Sequence, residues 1–212
     1  MADNLTTQSA TLATIPASSV VATDDVAGVH YQRVKLTDGT ADSANAAVVS
    51  STGALAVDVR PKVTRITVTP TISTSPAYAI GDCLGSYMTF ANAVRASGGS
   101  GRVQRVQVVD QAKLLIDMDL LLFDRGISGT TTATDNAVFD LTDADCFKLV
   151  GVVPISSGYY ASFNDNAVAD VPCDLPFVLN GTADLTGLLV IRTAATYVAT
   201  TDIVVSLHVA QD

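Results

Sequence analysis

Leu114-Leu115-Ile116-Asp117-Met118-Asp119-Leu120-Leu121-Leu122-Phe123 is the stretch on which the fold class turns. Hydrophobicity alone would make it a helix. Asp117 and Asp119 stand two apart, however, and in a strand residues two apart share a face while Met118 and Leu120 point to the other. The neighbouring segments also read as β, so the stretch is taken as a strand.

Working outward, residues 63–72 alternate with period two, Val63, Arg65, Thr67 and Thr69 against Thr64, Ile66 and Val68. Segments 87–94, 103–109, 150–155, 159–163, 177–179, 185–192 and 203–209 have strand length and composition. With residues 114–123 they make roughly eight to ten strands at the spacing of a sandwich or jelly roll. Ala96-Ser97-Gly98-Gly99-Ser100-Gly101 reads as a hairpin turn, and residues 124–136 as a long loop. Only residues 140–147 look helical, as one or two turns with Asp143 and Asp145 placed as first-turn acids.

Composition agrees. All 21 acidic residues are Asp, there is no Glu, and Lys occurs four times. Glu and Lys fill exposed helical faces, whereas Asp prefers caps and turns, so a helix bundle is disfavoured. Hydrophobic residues make up 48% and charged residues 16%, with mean hydropathy +0.36. No apolar run reaches the roughly 18–20 residues of a membrane helix, so no membrane partner is expected and the apolar side chains go into a core or into other chains. The opening residues lack a basic segment followed by an apolar one, so no secretory leader is expected.

The chain divides near Arg60-Pro61. Residues 1–27 are rich in Thr, Ser and Ala with sparse apolar positions. Residues 29–36 alternate as a strand, Asp38-Gly39 signals a tight turn, and residues 46–50 and 55–59 are further extended stretches. Residues 1–60 are read as an extended arm of short strands and turns without its own core. Such pieces are marginal alone in water and gain order against a partner. Residues 61–212 are read as a jelly-roll-like β-sandwich.

No constellation for chemistry emerges. His30 and His208 fall in strands, with no nucleophile elbow nearby. Asp117/Asp119 and Asp143/Asp145 are the only paired carboxylates to weigh for glycoside hydrolysis, yet there is no Trp and only 6% aromatic residues. Asp135-Asn136 with Asp140, and Asn164-Asp165-Asn166, offer oxygen donors for calcium but match no EF-hand loop, and turn chemistry explains both. Cys83, Cys146 and Cys173 are far apart and odd in number, which suits buried thiols in a reducing cytosol. Gly98–Gly101 opens no helix, so it is no phosphate cradle. The net charge is −9 with Lys and Arg scattered, so nucleic-acid binding is not expected. Neither a cofactor nor a metal nor a catalytic residue is assigned.

Thr11-Leu12-Ala13-Thr14-Ile15-Pro16, followed by residues 20–39 (Val-Val-Ala-Thr-Asp-Asp-Val-Ala-Gly-Val-His-Tyr-Gln-Arg-Val-Lys-Leu-Thr-Asp-Gly), resembles an N-terminal segment of tailed-bacteriophage structural proteins. Residues 89–101, Leu122-Phe123-Asp124-Arg125 and the ending 199–212 look like the β domain of capsid cement or head-decoration proteins. The resemblance spans nearly the whole chain and carries no catalytic motif. It implies a jelly roll on the outer surface of a capsid, assembled in the host cytoplasm, often as a homotrimer, with its arm clamping neighbouring copies of the major capsid protein. On that reading Val29, Tyr31, Val34 and Leu36 make the capsid contact, and Arg33 and Lys35 pair with an acidic shell. The arm segment is shared among virion proteins, so the alternative is a tail or fibre component that binds host glycan.

Overall fold

The computed structural model describes residues 4–6, 20–26, 29–32, 62–127, 131 and 133–212. The chain divides into two units, residues 1–59 and 60–212. In the first, β1 (Asn4–Thr6), β2 (Val20–Val26) and β3 (Val29–Gln32) form a three-stranded antiparallel sheet in that order. Val26 stands opposite Val29, and Asp24 opposite Tyr31. The first two strands fall where sparse apolar residues gave no periodic signal. The turn at Asp38-Gly39 and the stretches 46–50 and 55–59 lie outside the described residues.

The second unit is all β, built on two antiparallel sheets. Its strands are β4 (Lys62–Val68), β5 (Cys83–Phe90), β6 (Ser100–Asp110), β7 (Met118–Phe123), β8 (Leu149–Ile155), β9 (Tyr160–Ser162), β10 (Ala167–Val178), β11 (Leu185–Ile191) and β12 (Ile203–Gln211). One sheet runs β4-β12-β6-β10-β9 and the other β5-β11-β7-β8. The pairing is nested: β4 with β12, β5 with β11, β6 with β10, and β7 with β8. Between the sheets lies one core, to which β6 gives Val103, Val106 and Val108, β12 gives Val205, Leu207 and Val209, and the facing sheet gives Leu84, Leu120 and Leu189. Each such side chain contributes on the order of 1.5–3 kcal/mol on burial.

The deciding stretch is a strand from Met118 onward. Met118, Leu120 and Leu122 enter the main core. Leu121 and Phe123, on the opposite face, join Cys83, Leu188 and Val190 in a second cluster, packed against Ile127, Phe139 and Leu141 of the loop that follows. A strand covered on both faces loses its polar alternation, hence its helix-like hydrophobicity. Leu114–Asp117 is loop instead: Asp110 Oδ2 accepts from the backbone N–H groups of Leu114 and Leu115 at 2.7 and 2.8 Å, where Lys113 and Leu115 take φ of 58° and 53°.

Two further readings change. Residues 96–101 do not close a hairpin, because β5 and β6 belong to different sheets; Gly98, at φ 75°, donates to Thr182 O as the chain crosses over. A strand begins at Ala167 rather than residue 177: Ala167, Ala169, Val171 and Phe177 are buried while Asp170, Pro172, Asp174 and Pro176 face out. The helix is the single turn α1 (Asp143–Cys146), with Asp143 and Asp145 in its first turn as the sequence reads, and Asp145 is fully buried.

The sheet edges differ in what covers them. Residues 136–139 hydrogen-bond along β5, with Cys83 N–H donating to Ala137 O and Asn136 N–H to Cys83 O, each at 2.9 Å. β8 carries Pro154, and β9, only three residues long, leaves a β10 edge bearing Pro172 and Pro176. Proline has no N–H to offer another strand. Among the described residues β4 pairs only with β12, in unbroken register and without a proline.

Candidate functional site

The interface expected on the arm is only partly described. Val29 and Tyr31 stand in β3, opposite Val26 and Asp24 of β2. Arg33, Val34, Lys35 and Leu36 lie outside the described residues.

Most of the carboxylates weighed for catalysis or metal binding are occupied in holding the chain. Asp117 Oδ1 accepts from Ser157 N–H at 2.6 Å. Asp119 Oδ2 is gripped by Arg192, at 2.7 Å from both Nε and Nη2. Asp145 Oδ1 meets Lys148 Nζ at 2.7 Å, and its other oxygen accepts from the Thr131 hydroxyl. Asp135 gathers three donors: the Ser73 hydroxyl, Tyr78 OH at 2.5 Å and Gly85 N–H at 2.6 Å. Asn136 Nδ2 donates to Pro76 O, Asn164 Nδ2 to Asp165 Oδ1, and Asp140 is exposed. Among the described residues no three metal-ligating side chains converge.

The remaining chemical candidates are spread out. His30 is in β3; His208, in β12, stands between Arg65 and Arg105 across the outer sheet face. Cys146 is exposed, Cys173 half-buried and Cys83 buried, with no disulfide among them. Burial, helped by neighbouring Asp82 and Asp135, pushes the Cys83 thiol up to about 11, so it is a poor nucleophile at neutral pH. Burial likewise raises Tyr160 and Tyr197, and Tyr78 with further help from Asp135.

What the sequence scatters, the fold collects. Of the nine lysines and arginines among the described residues, Arg102, Arg105, Arg125, Lys148 and Arg192 pair with aspartates. Lys113 Nζ caps the carbonyl of Phe163 at 2.6 Å. The three left without any such anionic or carbonyl partner, Lys62, Arg65 and Arg95, line one groove of about 570 Å³ beside β4, and no carboxylate lines it. Arg65 donates to Gln107 Oε1 and Ser206 Oγ, which steadies it on the outer face without neutralising it. Residue 95 is thirty positions from residue 65, so spacing along the chain gave no hint of the cluster.

No family model, curated protein or solved structure matches this chain. No helix among the described residues is long and apolar enough to cross a membrane.

Proposed function

We propose that the chain is a non-enzymatic structural protein of a virion, a cement or decoration protein that binds the outside of a bacteriophage capsid and bridges neighbouring major capsid subunits. The observation that carries this reading is the use made of the carboxylates. Asp110, Asp119, Asp135 and Asp145 each tie a loop or strand end by hydrogen bond or ion pair, which suits a scaffold. The nested strand pairing supports a jelly roll as the finer description of the sandwich, in keeping with the resemblance to capsid decoration proteins.

Bridging follows from the physics of a repeated surface. An arm that adds strands or small apolar side chains to several capsid subunits gains avidity, since each later contact is intramolecular. A homotrimer would multiply the arms. Full-length protein and a chain of residues 61–212 should be mixed with capsids stripped of the protein, and the bound fraction measured after sedimentation. Full-length chain should bind saturably and the shortened chain fail while keeping a β circular-dichroism spectrum. Equal binding by both would overturn the arm's role, and binding to immobilised host glycan instead of capsids would favour the tail or fibre alternative.

A further inference from the structure

We infer that the outer edge of β4, flanked by Lys62, Arg65 and Arg95, is a docking groove for an extended, carboxylate-bearing segment of a partner protein, added as a further strand. Two independent features meet there. The first is backbone: among the described residues β4 is the sheet edge to which no loop hydrogen-bonds and which holds no proline, with residues 91–95 forming the other side of the groove. An unpaired edge offers alternating N–H and C=O groups that only another extended chain satisfies in register. The second is charge. In a chain of net charge −9, whose other described cations are matched to carboxylates or carbonyls, three unmatched ones line the groove beside β4, with the Arg65 guanidinium lying on the outer sheet face next to Gln107 and Ser206.

Edge cations also discourage the sheet from pairing with copies of itself. That role and acidic docking are compatible, because the charge that repels a basic or identical edge attracts an acidic one. Thr64 and Ile66 of β4 and Val94 across from them add apolar surface to the groove lining. Nucleic acid is the less suitable occupant: three cations make no phosphate-tracking stripe, and 21 aspartates repel a polyanion. The inference does not rest on the capsid reading, since it holds for any partner that presents such a segment.

The test uses the full chain and a fluorescein-labelled peptide of alternating Asp and Val, about eight residues long to match one strand. Fluorescence anisotropy should show saturable binding that weakens about tenfold between roughly 50 and 300 mM salt. The exposed pair Arg65→Ala/Arg95→Ala should weaken it about tenfold or more, whereas Arg102→Ala/Arg105→Ala, on cations already paired with Asp174 and Asp170, should leave it within about twofold. Amide hydrogen exchange along residues 63–67 should slow in the complex. The inference is overturned by absent binding, by equal binding of an alternating Lys and Val peptide, by indifference to Arg65→Ala/Arg95→Ala, by unchanged exchange in β4, or by displacement with a short single-stranded oligonucleotide.

Discussion

Lys148 Nζ lies 2.7 Å from Asp145 Oδ1, and the carboxylate it meets is fully buried while the lysine keeps a fifth of its side chain in water. The pair joins α1 to Thr131, and so fastens the loop that covers the second apolar cluster. Removing the lysine takes the cation from a buried carboxylate. Lys148→Met should therefore destabilise the sandwich by about 3 kcal/mol, read from urea unfolding, and Asp145→Asn/Lys148→Met should recover part of that loss.

Asp135 acts at a second point on the same loop, joining it to Ser73, Tyr78 and the β5 bulge at Gly85. An alanine there leaves a buried N–H and a buried hydroxyl without their acceptor. Asp135→Ala should cost about 2–3 kcal/mol and make the amide of Gly85 exchange faster than the β6 amides.

Gly187 in β11 sits where a Cβ would come within 2.6 Å of Phe90 Cε2 and 3.4 Å of Leu122 Cδ2. Both neighbours are fully buried and have little room to shift. Gly187→Ala should destabilise by about 1–3 kcal/mol through overpacking, measured as a lowered Tm.

The thiols should separate by reactivity. At pH 8 iodoacetamide should modify Cys146 first and Cys173 more slowly, and reach Cys83 only on unfolding. Cys83 and the buried tyrosines have raised values, so the folded state holds protons that the unfolded chain releases. Their contribution is intact below the ordinary thiol range and is lost as pH climbs toward about 11 for Cys83 and beyond for Tyr160 and Tyr197. The urea midpoint should fall between pH 8 and pH 10.5, and a flat profile would count against these buried, uncharged states.

The fold class was legible because alternation survives wherever one face of a strand meets water, as in β4. Flanking β segments mark the doubly covered β7, which begins at Met118, whereas Asp117 stands in the loop before it. β10 extends well before the segment 177–179 that reads as a strand; its Pro172 and Pro176 are tolerated because both face outward and β9 covers only its first residues. Gly98-Gly99 looked like a hairpin since local turn chemistry does not say which sheet receives the next strand. Asp135 reads as a turn former in the sequence, because its Ser73 and Tyr78 partners lie 62 and 57 residues away. The groove at β4 was invisible for the same reason: Lys62, Arg65 and Arg95 meet only after β5 crosses to the facing sheet.

The most direct test is a cryo-electron microscopy reconstruction of virions that carry this protein. The account predicts density for the sandwich on the capsid exterior, with the segment before residue 61 reaching across a boundary between capsid subunits. Density confined to the tail, or a leading segment that touches no capsid subunit, would contradict it.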